Sequence, residues 1–122
     1  LPLQWNSLVL NPTLDLLNSI VENTLNKQDD FGELDANHGL IGLMGEIGEY
    51  SDIIKRHYHY QLGDSLDTDH ICEEIGDMLY YIQVLLNCHG LVMEDCIFSL
   101  NAKLAKRYPY GWSRQGADRD KK

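Results

Sequence analysis

The stretch ICEEIGDMLYYIQVLLNCHG, residues 71–90, reads as one long amphipathic helix. Ile71, Ile75, Met78, Leu79, Ile82, Leu85 and Leu86 recur at three- and four-residue spacing, which 3.6 residues per turn gathers into a single stripe. Thr68 stands near its start, and Gly90 supplies the residue type that most readily ends a helix. Working outward, Leu40, Leu43, Ile47, Tyr50 and Ile54 give a second stripe, predicting a helix over about His38 to Tyr58, with Gly63-Asp64-Ser65 as the loop that follows. Asn11-Pro12 is suited to a helix start. Leu14, Leu17, Val21 and Leu25 continue that helix until the polar run Asn26 to Asp30, then Phe31 and Gly32, ends it. Met93 to Tyr108 forms a fourth, with Ile97, Leu100 and Leu104 on one side and Pro109 as its stop. No segment alternates with period two for long enough to be a strand. Four amphipathic helices with short links predict an all-α four-helix bundle. The domain reading is one unit over 1–122, with its core at about 11–112. Leu1 to Ser7 and the polar tail 113–122 lack periodicity and are expected to fray.

A chain of 122 residues can bury a core without disulfide or metal staples. Cys72, Cys88 and Cys96 are odd in number, have no C-x-x-C spacing, and lie in helical stretches, where a free cysteine is expected as a small buried hydrophobe. No apolar run approaches the roughly 20 residues of a membrane span, and no basic-then-apolar leader opens the chain, so a soluble, cytoplasmic protein with no membrane partner is expected. The formal net charge of −9 repels phosphate backbones, which argues against a nucleic-acid partner. A polyphosphate substrate would meet the same repulsion unless a divalent cation came between.

The acids are not scattered. Glu46-Ile47-Gly48-Glu49 in the second helix is echoed by Glu74-Ile75-Gly76-Asp77 in the third. In each, the carboxylates are three apart and share a helical face. One account is a solvated acidic surface. Against it, the face carrying Glu74 and Asp77 continues into Tyr81, Val84 and Cys88, which suits a pocket floor better than a solvent face. Two carboxylates about 4 Å apart repel by roughly 4 kcal/mol at an effective dielectric near 20. A four-acid cluster therefore either protonates in part or holds hard cations. Oxygen-only ligands select magnesium, manganese or calcium over tetrahedral zinc, and the Glu-x-x-His pattern of di-iron bundles is absent. Glu73, beside the pair, is either a further ligand or an exposed neighbour.

Cations and aromatics follow. Arg56 lies over the acidic face of the second helix and Lys55 at its edge. Lys103 and Arg107, one turn apart on the fourth helix, form either a snorkelling basic margin or phosphate contacts. Asn101 falls within that helix's apolar stripe and either faces the cleft or bonds a neighbouring helix. Arg107-Tyr108-Pro109-Tyr110-Gly111-Trp112 walls a base pocket or caps the bundle's end. His57 and His59 suit the C-terminal end of a helix dipole. His38, two turns before Glu46, projects onto the acidic face and is a candidate for contacting a base.

With both acidic pairs about two dozen residues apart, and with Asn101-Ala102-Lys103-Leu104 leading into Arg107-Tyr108-Pro109, the run Gly39 to Trp112 resembles the MazG-like all-alpha nucleotide pyrophosphohydrolases. This superfamily also includes dimeric dUTPases, dCTP pyrophosphatases and phosphoribosyl-ATP pyrophosphatases. The resemblance implies a bundle working as a homodimer or homotetramer. It implies Mg2+, with Mn2+ able to substitute, held by Glu46, Glu49, Glu74 and Asp77. It implies hydrolysis of a nucleoside triphosphate to the monophosphate and pyrophosphate. Carried over by motif position, Lys55, Lys103 and Arg107 contact phosphates, and Asn101 and Tyr81 line the nucleotide pocket. Glu49 is the candidate catalytic base. The first helix matches the pattern poorly, which leaves the base and sugar open. The competing readings are a non-catalytic nucleotide- or metal-sensing bundle, a phosphoribosyl-ATP pyrophosphatase-like enzyme, and a structural or adaptor helical protein.

Overall fold

A computed structural model of the chain describes residues 12–25, 33–60 and 65–118. The described residues form α1 (Pro12–Thr24), α2 (Glu33–His59), α3 (Thr68–Cys88), α4 (Met93–Arg107) and α5 (Arg114–Ala117). They contain no strand, only an isolated bridge between Pro109 and Gly111. The all-α expectation holds. No described helix is long and apolar enough to cross a membrane.

The organising unit is the pairing of α2 with α3. Gly39 lies opposite Val84 and Leu85, and Gly42 lies opposite Tyr81. Further along, Glu46 meets Asp77 and Glu74. Numbers rise on one helix as they fall on the other, so the pair is antiparallel. The seam is set by small residues on α2: a β-carbon at Gly39 would already sit 3.0 Å from Leu85 Cδ2. On the α3 side, the face carrying Glu74, Asp77, Tyr81 and Val84 is turned to α2. The Ile75 and Leu79 row stays exposed, as do Leu40 and Ile47 of α2. The apolar stripes read from spacing are therefore only partly the ones that pack within a single chain.

α1 crosses the other side of α3. Val21 and Val84 are fully buried, each contributing about 1.5–3 kcal/mol from transfer out of water. A row of amides fixes the register. Gln83 Nε2 donates to Asn87 Oδ1 at 2.9 Å and to Asn18 Oδ1 at 3.3 Å, and Asn87 Nδ2 donates to Asn18 Oδ1 at 3.2 Å. Tyr80 and Thr24 add a hydroxyl contact at 3.0 Å.

α3 is bounded by local chemistry. Asp67 Oδ1 accepts from His70 N at 3.1 Å, capping the first turn. At the far end Gly90 takes φ +65°, and Leu91 N donates to Leu86 O at 2.9 Å while Gly90 N donates to Asn87 O at 3.2 Å. These are the paired bonds of a left-handed helix termination. α4 then leaves the hairpin: the extensive packing is α2 on α3 and α1 on α3, with α4 touching its neighbours only at the margins. Its stripe of Ile97, Leu100 and Leu104 remains exposed.

Three expectations change. α2 begins at Glu33, five residues before the expected start at His38, because periodicity marks a buried face and not a helix end. The tail read as frayed contains α5, begun by Ser113 Oγ accepting from Gly116 N at 3.0 Å. Cys72 and Cys96 are exposed and Cys88 is half-buried: Cys88 continues the face of Tyr81 and Val84, whereas Cys72 lies on another face of α3 and Cys96 on α4. Asn11, the expected cap of the first helix, lies outside the described residues, as do Leu1 to Ser7.

Candidate metal centre

The antiparallel register places the two acidic tetrapeptides side by side. Glu46, Glu74 and Asp77 each offer a carboxylate oxygen, and the three oxygens lie within 4.8 Å of one another. A cation with bonds of about 2.0–2.6 Å holds opposite ligands about 4–5 Å apart, so this span suits one ion.

The electrostatics fit such an ion. Glu46 is pushed up to about 7 by burial first, then by a hydrogen bond with Glu74 that only a protonated carboxyl can donate, then by the charges of Asp77, Glu74 and Glu49. Near neutral pH the Glu46 carboxyl is therefore divided between its protonated and ionised forms. Glu74 is the most enclosed of the three. Its Oε1 lies 3.3 Å from His70 Nε2, while its Oε2 is buried with no partner. A buried carboxylate oxygen is costly to leave unbonded. An orphaned oxygen beside two further carboxylates gives an all-oxygen donor set of the kind that hard divalent cations prefer.

Beside the acids, Tyr81 lies against Gly42, where a β-carbon would overlap the ring. Its phenol is raised by burial and then by the charge of Glu46. Tyr80 packs edge-on against it at 5.4 Å between centroids, and His38 faces it, tilted, at 6.1 Å. His38, Tyr81 and Glu46 therefore form a continuous edge.

The remaining residues singled out from the sequence are placed differently. Glu49 is exposed and stands outside the three converging oxygens, although its charge still reaches Glu46. Lys55 and Lys103 are exposed, and Asn101 and Arg107 are half-buried. Asn101 Nδ2 and Arg107 Nε are buried without partners. Arg56 is engaged by Asp52 at 2.8 Å. Among the described residues no Lys or Arg forms an ion pair with the acidic cluster. Past α4, Arg107, Tyr110, Trp112 and Gly116 border an open groove of about 540 Å³.

Sequence reasoning did not find His70 or Gly42. The signal for His70 was available: Asp67 caps the helix, and His70 stands one turn before Glu74. Gly42 had none, because the aromatic that fills its missing side chain lies on another helix.

Comparison with known families agrees with this geometry. No curated protein and no solved structure matches the chain. The profile of the MazG nucleotide pyrophosphohydrolase domain matches residues 37–112, from just before His38 to Trp112. That match spans both acidic tetrapeptides and the whole of α4, and the chain belongs to the MazG nucleotide pyrophosphohydrolase domain family.

Proposed function

We propose that the chain is a magnesium-dependent pyrophosphohydrolase that cleaves a nucleoside triphosphate to the monophosphate and pyrophosphate. The observation that carries the reading is the convergence of Glu46, Glu74 and Asp77 from two helices, with a buried Glu74 oxygen left unbonded. In this reading those three carboxylates hold the cation, and Glu49 completes the set or faces the attacking water. Magnesium, or manganese in its place, supplies neutralisation of the triphosphate and polarisation of its phosphoryl oxygens when bound.

The chain's own groups do the rest. A Glu49 carboxylate, exposed beside the cluster, takes the proton of the water whose oxygen bonds to phosphorus. The phosphoanhydride bond breaks and its electron pair leaves with pyrophosphate. Lys55, Lys103 and Arg107 stabilise the charge on that leaving group. Tyr81 and His38 offer an aromatic edge next to the acids for the nucleoside, and Asn101 offers amide contacts. A homodimer or homotetramer, four-helix bundles included, accounts for the exposed apolar rows of α2, α3 and α4.

A panel of ribo- and deoxynucleoside triphosphates, scored for pyrophosphate release with magnesium, tests the reaction and identifies the base and sugar together. Glu49→Gln and Asp77→Asn are expected to abolish release while the helical circular dichroism persists. Full activity in either variant would contradict the assignment.

A further inference from the structure

Thr24, the last residue of α1, ties that helix to a tyrosine beside the aromatic edge of the acidic cluster. Its hydroxyl oxygen lies 3.0 Å from that of Tyr80 on α3. The single hydroxyl hydrogen of Thr24 is directed at Ile20 O, at 2.6 Å. The longer contact is therefore donated by the Tyr80 hydroxyl, with Thr24 Oγ1 as its acceptor.

Tyr80 and Tyr81 are about 100° apart around α3, so one turns to α1 while the other turns to α2. Their rings meet at 78° with centroids 5.4 Å apart, an arrangement that aromatic pairs favour. The Tyr81 ring fills the space that a side chain on Gly42 would take. Beyond it stand His38, 6.1 Å away between centroids, and Glu46, one turn along α2 from Gly42. Gly42 gives the ring room but has no side chain with which to hold it. The ring that can hold it is that of Tyr80, and the hydroxyl of Thr24 holds Tyr80. The amide link from α1 to α3 is separate. It starts at Asn18, six residues before Thr24 and about 9 Å along the axis, and is made to Gln83 and Asn87.

We propose that Thr24 and Tyr80 are positioning residues for the nucleoside: the bond between their hydroxyls fixes the Tyr80 ring, which fixes the Tyr81 ring beside Glu46. What Tyr81 meets rests on the pyrophosphohydrolase reading; how Tyr81 is held does not. An exposed hydroxyl bond adds little to the stability of the fold, so its loss acts on the placement of one ring more than on the helices. Substrate affinity then depends on α1, a helix that contributes no carboxylate to the converging three.

Four variants test this, each compared where circular dichroism shows it folded. Thr24→Val removes the acceptor, Thr24→Ser keeps it, and Tyr80→Phe removes the donor. Asn18→Leu, which breaks the amide link instead, is the control. The position of the Tyr81 ring is read without substrate from the Gly42 Hα resonance, which the ring current displaces; Tyr81→Leu gives its value with no ring present. Thr24→Val and Tyr80→Phe are expected to move that resonance toward the Tyr81→Leu value, and Thr24→Ser and Asn18→Leu to leave it near wild type. Kinetics are read with magnesium on the triphosphate that the wild type turns over fastest. KM is expected to rise about fivefold in Thr24→Val and Tyr80→Phe, within the roughly two- to thirtyfold range for residues acting through a neighbour. kcat and Mn2+ affinity are expected to hold, the pattern of lost substrate binding alone.

An unmoved Gly42 resonance in Thr24→Val and Tyr80→Phe overturns the proposal, whatever the activity. So does a displaced resonance with KM unchanged, or a rise in KM undiminished in Thr24→Ser. An equal rise in Asn18→Leu, or a matching loss of kcat or Mn2+ affinity, overturns it too, because the effect would then be a general loosening of α1. A wild type that releases no pyrophosphate removes the functional reading and leaves the Gly42 resonance to decide how the ring is held.

Discussion

Gly42 and Tyr81 occupy one another's space: the ring of Tyr81 lies where a β-carbon on residue 42 would be. The contact lies one turn from Glu46 on α2 and one turn from Asp77 on α3, so it sets how closely the two acidic tetrapeptides approach. Gly42→Ala is expected to part the helices and destabilise the protein by about 1–3 kcal/mol, the usual cost of overpacking. Divalent-ion affinity is expected to fall with it. Urea unfolding and a Mn2+ titration read the two effects. Adding Tyr81→Leu to Gly42→Ala should recover part of both, whereas a purely additive loss would show that the contact does not set the spacing.

The raised pKa of Glu46 gives a pH signature. Its folded value of about 7 lies above the ordinary 4.5, so between these limits the native chain binds more protons than the unfolded one. Stability of the metal-free protein should therefore be greatest, as far as Glu46 contributes, below pH 4.5 and fall as pH rises toward 7. Excess magnesium should reverse the slope above pH 6 by binding the ionised cluster. Thermal melts across pH 4.5–8, with chelator and with magnesium, measure this. A flat chelator series would contradict it.

Glu74→Gln removes one of the three converging charges. Glu46 should then titrate closer to 4.5, since a charge and a hydrogen-bond partner that raise it are both altered. The magnesium-dependent rise in melting temperature, expected for any ligand that binds only the native state, should disappear. Carboxyl 13C shifts followed through a pH series report the first effect and calorimetry the second.

His70 holds the outer oxygen of Glu74 at 3.3 Å. Its replacement by alanine should weaken divalent-ion binding about tenfold, at the low end for groups that orient metal ligands, while leaving the Asp67 cap and the helix content intact. Affinity equal to wild type would make the contact incidental.

The amides of Asn18, Gln83 and Asn87 bond one another between α1 and α3. Asn18→Leu or Gln83→Leu should each cost about 1–3 kcal/mol, because the remaining amides lose buried partners. The double variant should cost less than the sum, and a double-mutant cycle by chemical denaturation measures the difference.

Helix content and the echo of Glu46/Glu49 in Glu74/Asp77 were legible because both are local, resting on spacing within one or two turns. So was the direction of the α3 face, since Tyr81 and Val84 follow the acids at helical intervals. What spacing does not encode is which face meets which helix. The rows containing Ile47, Ile75 and Leu79 read as core, yet they stay open within the single chain, and the seam belongs to the acidic face. The separation of Glu49 from the other three acids is likewise a matter of how far α2 rotates against α3, a tertiary quantity. α5 was missed because one serine hydroxyl starts a helix of four residues, too short to show a period.

Gly90 turns the chain through a left-handed dihedral that side chains disfavour by about 1–2 kcal/mol. Its consequence is mechanical: one residue acts as the elbow for everything from Leu91 onward, aiming α4 outward without touching the acids. Re-angling that elbow with a bulkier residue would redirect the reach of the positive limb while leaving the carboxylates of the α2–α3 hairpin as they were. The direction of the limb and the spacing of the acids are thus separately tunable in this chain.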